Sequence, residues 1–168
     1  MTLADVNAMD EAGFVRALGG VFEHSPWIAQ RAFAARPFES VDALHAAMVA
    51  VVDRATQDEQ LALLRAHPEL AGKAAVSGTL TADSTKEQSG AGLAHCSADE
   101  FATITELNHR YNAKFGFPFI LAVKGYDRAG ILREFARRVE DDRPTEFAEC
   151  LRQIAKITRF RLDALLSG

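Results

Sequence analysis

Cysteine is scarce in this sequence: Cys96 and Cys150 are the two in 168 residues. Two thiols cannot build a disulfide scaffold and lie too far apart for a zinc knuckle, so a reducing compartment is expected. Positive charge is not in excess either. Nineteen Lys and Arg against 23 Asp and Glu leave a formal net charge of −4. That gives no electrostatic reason to expect nucleic acid or an anionic membrane as partner. No apolar run approaches the roughly 20 residues of a membrane span. The opening residues Met1-Thr2-Leu3-Ala4-Asp5-Val6 carry neither the basic cluster nor the apolar core of a secretory signal, so a cytoplasmic location is expected.

Several chemical motifs are missing too. Gly19-Gly20, and Gly90 with Gly92, form neither a G-x-G-x-x-G turn nor a Walker loop, which leaves nucleotide binding without support. There is no G-x-S-x-G elbow. None of His24, His45, His67, His95 and His109 falls in an H-x-x-x-H or H-x-x-E-H pattern, so no metal site is expected. His95 adjoins Cys96, but neighbours in sequence seldom present a nucleophile to a base.

What is present is ordinary globular composition, 48% hydrophobic and 25% charged, with abundant helical punctuation. Ser25-Pro26 reads as an N-cap followed by proline at the first helical position. Ser40 precedes a face of Val41, Leu44, Met48 and Val51/Val52. Leu61 and Leu64 lie in a short helix that must end before Pro68, because proline disfavours helical dihedrals at His67. Ser84-Thr85-Lys86-Glu87 and Ser97-Ala98-Asp99-Glu100 both fit a capping box. The second opens a helix with Phe101, Ile104, Leu107, Tyr111 and Phe115 on one face, which Gly116 ends. A further helix carries Ile131, Leu132, Phe135 and Val139, and Pro144 starts a last one running to about Leu166. Phe117 to Val123 has strand-like composition but no partner strand, and reads as a buried extended segment between helices. The expected fold is all-α, a single compact helical domain over residues 1–168 with about eight helices.

Three places break the pattern. In the last helix Phe147, Leu151, Ile154, Thr158, Leu162 and Leu165 form a stripe at about 100° per residue, and Arg161 falls inside it. An arginine there either snorkels or pairs with a core carboxylate, or else aims a planar guanidinium at a carboxylate or ureido group in a pocket. His67 sits at a helix terminus, held out of helical geometry, where a side chain can enter a cleft. Between Ser84 and Leu93, Gly90 and Gly92 are poor helix residues and Lys86, Gln88 and Ser89 crowd one turn. A cap and a ligand site can coexist there.

Three stretches stand in order along the chain. They are His67-Pro68-Glu69-Leu70-Ala71-Gly72-Lys73, Ser84-Thr85-Lys86-Glu87-Gln88-Ser89-Gly90-Ala91-Gly92-Leu93, and Tyr111-Asn112-Ala113-Lys114-Phe115-Gly116-Phe117-Pro118-Phe119-Ile120. Together they resemble the signature of the OHCU decarboxylases, which act on 2-oxo-4-hydroxy-4-carboxy-5-ureidoimidazoline in urate breakdown. The resemblance extends from Phe14 to Arg159-Phe160-Arg161-Leu162. It implies an all-helical, cofactor-free homodimer acting on a small-molecule substrate. By the same resemblance His67 is the catalytic histidine and Pro68 the proline whose backbone borders the substrate. Ser84, Glu87 and Gln88 hold substrate and orient His67, Phe117 and Ile120 supply an apolar wall and backbone, and Arg161 is the arginine of the last helix. Two other readings fit the same residues. One is a hydrolase of the ureide pathway with Glu87 as base and His67 as acid; the other is a non-enzymatic helical binding module.

Overall fold

The structure, a computed structural model, describes residues 1–72 and 78–167. Among the described residues there is no strand. The helices are α1 (Leu3–Ala8), α2 (Glu11–Leu18), α3 (Trp27–Ala32), α4 (Val41–Arg54), α5 (Gln57–Ala66), α6 (Ala82–Gly90), α7 (Ala98–Phe115), α8 (Arg128–Arg138) and α9 (Arg143–Leu166). Short 3-10 turns lie at Phe33–Ala35 and Leu93–His95. The all-α expectation holds.

All but α3 begin where a side-chain oxygen takes over an amide that the first turn leaves unpaired. Thr2, Asp10, Ser40, Thr81, Ser97 and Asp127 accept from the backbone three residues ahead, as do Thr56 and Asp142. Two caps differ from expectation. α3 starts at Trp27 with Pro26 at the cap position, and the Ser25 hydroxyl donates to the Glu23 carbonyl instead of capping. The cap of α6 lies three residues before the expected Ser84, because Thr81 is extended and its hydroxyl accepts from the Ser84 amide. Ser84 thereby moves into the helix and turns inward.

Two stripes also need adjustment. On α7 the buried residues are Ile104, Leu107, Asn108, Tyr111 and Phe115, whereas Phe101 in the first turn is 42% exposed. The buried side of α9 is Glu146, Cys150, Gln153, Ile154, Ile157, Thr158, Arg161 and Leu162, and Leu165 is 41% exposed. Gly116 ends α7 as expected, with φ +78 and its N–H donating to the Asn112 carbonyl.

The chain divides into two units, Met1–Ala66 with Ile154–Gly168, and His67–Gln153. In the first, Phe14 packs edge-on to Phe33 and stacks with Phe38, and Val6, Leu18, Ile28, Leu44, Met48 and Leu63 are fully buried. In the second, Tyr111 meets Phe115, Phe117, Phe119 and Phe135, the last two stacked at 3.9 Å. Around these rings runs Phe117 to Val123, buried throughout and without regular structure.

Candidate active site

A buried extended segment with no partner strand must satisfy its backbone with side chains. The Arg138 guanidinium donates to the Ile120 carbonyl at 2.7 Å, and the Gln153 amide oxygen accepts from the Ala122 N–H at 3.0 Å. The Cys150 thiol is directed at the Pro118 carbonyl at 3.9 Å. Arg138 also binds the Glu146 carboxylate at 2.8 Å, and Tyr111 donates its hydroxyl to the same carboxylate. Burial opposes charge on Arg138, yet bonding to Glu146 leaves its pKa raised; burial pushes the Tyr111 hydroxyl and the Cys150 thiol up. This network fixes the backbone of Ile120. Phe117 is sealed among Tyr111, Phe115 and Phe147.

α5 stops at Ala66, and Pro68 keeps His67 from continuing it. His67 is 7% exposed, and its Nε2 is shielded from solvent; Pro68 beside it is half-buried. The following turn is held by amide side chains. Gln88 accepts from the Ala71 N–H at 3.0 Å through Oε1 and donates to the Glu69 carbonyl at 3.3 Å through Nε2. Asn108 donates from Nδ2 to the Leu70 carbonyl at 2.9 Å, and Asn112 donates to the Glu69 carboxylate. Ala71 is left-handed at φ +49, a conformation costing a residue with a Cβ roughly 1–2 kcal/mol, which the Gln88 bond helps to offset. Gly72 leaves room for Glu69: a Cβ there would lie 2.7 Å from the Glu69 Cβ. Lys73 lies outside the described residues.

α6 turns the usual helix inside out. A surface helix normally buries an apolar stripe, but Ala82–Gly90 has no large apolar residue. Ser84 and Gln88 are its buried residues, and Glu87, on the same face at helical spacing, is half-buried.

Arg161 belongs to the other unit. It is 5% exposed and donates from one guanidinium nitrogen to the Glu23 carboxylate at 2.8 Å and the Val21 carbonyl at 3.2 Å. His24, left-handed at φ +48, and the Ser25 hydroxyl shape the turn that carries Glu23. Of the two bland readings of Arg161, pairing with a core carboxylate is the one realised, and snorkelling is not.

His67, Pro68, Ser84, Glu87, Gln88, Phe117 and Ile120 thus lie in one unit and Arg161 in the other. Sequence reasoning missed Asn108, Asn112, the Arg138–Glu146 pair and Glu23. A signal for Asn108 existed: it sits in the apolar stripe of α7 as Arg161 sits in that of α9. Among the described residues no group of three or more His, Cys, Asp or Glu could hold a metal ion, and no helix is long and apolar enough to cross a membrane.

Comparisons with known proteins converge. The model of the family described as OHCU decarboxylase matches residues 7–163. The 2-oxo-4-hydroxy-4-carboxy-5-ureidoimidazoline decarboxylase of Haloferax volcanii is 41% identical over 168 residues, all of this chain and 98% of that protein. The mouse enzyme of that name is 39% identical over 100% of this chain and 94% of its own length. The uric acid degradation bifunctional protein PucL of Bacillus subtilis is 42% identical over 166 residues, 99% of this chain, which spans 33% of that larger protein. A crystal structure of (S)-allantoin synthase superposes with TM-score 0.78 at 29% identity, covering 99% of this chain and 54% of that one. A crystal structure of OHCU decarboxylase in the presence of (S)-allantoin shares the fold, with TM-score 0.72 over 95% of this chain at 22% identity. With the family's match running from the first helix to the last, the chain belongs to the OHCU decarboxylase family.

Proposed function

We propose that this protein decarboxylates 2-oxo-4-hydroxy-4-carboxy-5-ureidoimidazoline to (S)-allantoin in urate degradation. The observation that carries the reading is the 41% identity to the Haloferax volcanii decarboxylase over nearly the whole of both chains. The substrate's carboxylate sits on a hydroxyl-bearing carbon next to ring unsaturation. When the bond to the carboxylate breaks, carbon dioxide leaves and the electron pair passes into the adjacent ring bonds, so the substrate serves as its own electron sink. One proton, delivered to one face, then completes the product. The reaction on this reading is cofactor-free.

The protein's task is to hold the ring, orient the carboxylate and supply that proton. His67 is the proton donor in this reading. An imidazole suits the step because its ordinary pKa near 6.5 lets it hold and release a proton near neutrality. Glu87 sets the tautomer of His67 and favours its protonated form. Ser84, Arg161 and Gln88, whose amide also brackets the His67 turn, bind ureido and ring polar atoms. Pro68, Phe117 and Ile120 border the ring. Orientation of this kind supplies a large share of a rate enhancement. The reading includes one catalytic domain, a homodimer and a cytoplasmic location; sedimentation equilibrium measures the second of these.

The test generates the unstable substrate from urate with urate oxidase and hydroxyisourate hydrolase, adds this protein, and follows optical activity at the allantoin band. Spontaneous decay gives racemic product. The expected result is a fast signal of one hand that His67→Ala abolishes while its circular dichroism spectrum stays helical. No gain in rate or handedness from the folded protein would overturn the reading.

A further inference from the structure

The turn after His67 has three consecutive residues, Glu69, Leu70 and Ala71, whose backbone groups are each held by a side-chain amide from another helix. Two of those bonds come from Gln88, which the substrate reading already uses. The third comes from Asn108 on α7, which no role so far requires. Asn108 is 4% exposed, and its two polar ends are unlike. Nδ2 donates to the Leu70 carbonyl at 2.9 Å, while Oδ1 is buried with no hydrogen-bond partner among the described residues. An asparagine buried with an idle acceptor contributes through its donor. One turn further on, Asn112 donates to the Glu69 carboxylate and to the Asn108 carbonyl, so the same helix grips the turn twice.

We propose, resting on the reading of His67 as the proton donor, that Asn108 is a positioning residue for the reaction, acting on His67 through the Leu70 carbonyl. The turn departs from ordinary backbone preference at Ala71, so it needs outside anchors to keep one conformation. A histidine three residues before a loosened anchor still folds into the protein but samples more orientations. Proton delivery to a single face is sensitive to that loss, whereas binding of the ring is less so. The three amides are neutral, so the turn is fixed in the same way whichever protonation state His67 holds.

Asn108→Leu tests this without forcing unfolding. Leucine has nearly the same size and removes the idle Oδ1 together with the Nδ2 donor. Asn108→Asp keeps the shape, but replaces the donor with a buried carboxylate oxygen facing the Leu70 carbonyl. In the optical assay both variants should lose at least about tenfold in kcat with KM within about twofold. Ile104→Ala, a cavity one turn earlier in the same helix, serves as the stability control and should lower Tm while keeping wild-type kcat. The imidazole resonances of His67 in substrate-free protein give a readout independent of turnover. They should broaden or shift in Asn108→Leu and stay put in Ile104→Ala.

If the His67 resonances do not move in Asn108→Leu, or if kcat holds while His67→Ala is inactive, the positioning role is wrong and the decarboxylase reading survives. If His67→Ala turns over at the wild-type rate, the proton-donor reading fails and the positioning role falls with it. A kcat loss in Ile104→Ala equal to that in Asn108→Leu would also overturn the proposal, by reducing it to general stability.

Discussion

Arg161 and Glu23 form a hydrogen-bonded ion pair at 2.8 Å, and both side chains are nearly sealed from solvent. Residues 138 positions apart in sequence are thereby locked together. The pairing complicates any simple assay of Arg161 as a substrate ligand. Removing one member of a buried ion pair typically costs about 3–5 kcal/mol, because the other charge stays behind in a low dielectric.

Arg161→Ala should therefore show two separable defects. In urea melts it should lose about 3–5 kcal/mol, and Arg161→Ala with Glu23→Gln should recover part of that loss. If Arg161 also binds the ureido group, KM stays raised in the double variant. A double variant with wild-type KM would assign Arg161 to structure alone.

The Arg138–Glu146 pair should behave as one unit. Both side chains are fully buried, and the pair shares Tyr111 and the Ile120 carbonyl. Arg138→Met and Glu146→Gln should each cost about 3–5 kcal/mol, and the double variant clearly less than the sum. The measurement is a double-mutant cycle by chemical denaturation. Additive losses would show that the two charges do not support each other.

His45 gives the first unit a pH dependence. Its Nε2 faces the Ala155 carbonyl at 2.9 Å and the Thr158 hydroxyl at 3.2 Å. Burial is the largest influence on it and holds its pKa below the ordinary 6.5. The Ala155 bond opposes that shift, Arg159 adds to it, and Asp163 and Asp42 oppose it. As pH falls below 6.5 the unfolded chain takes up this proton more readily than the folded one, so stability present near neutrality is lost. His45→Gln keeps a donor for the carbonyl and does not titrate. Between pH 7 and pH 5 the wild-type Tm should fall further than that of His45→Gln; parallel curves would refute the assignment.

Much of the fold was legible because helix ends are written locally. Ser40, Ser97 and Gly116 act within four residues of themselves, and Pro68 acts on the residue before it. The cap at Thr81 was misread because Ser84-Thr85-Lys86-Glu87 satisfies the same local pattern three residues later, and only the path of the chain before α6 distinguishes them. Phe101 and Leu165 continue their stripes on paper but stand 42% and 41% exposed. For the site, Arg161 and His67 stood out as polar residues in constrained places, and the three motif stretches supplied the family.

The sequence by itself determined the helical class, the helix ends marked by Ser40, Pro68, Ser97 and Gly116, the burial of Phe117 to Val123 and the family. All of these depend on short-range rules or on residue order. Only the tertiary structure decided that Arg161 meets Glu23, that Arg138 holds the Ile120 carbonyl, and that Gln88 and Asn108 grip the turn after His67. The physical reason is that a buried polar group must find a partner to offset its desolvation, while the periodicity of its own helix says only that it faces inward. Which partner it finds depends on the segments that packing brings alongside.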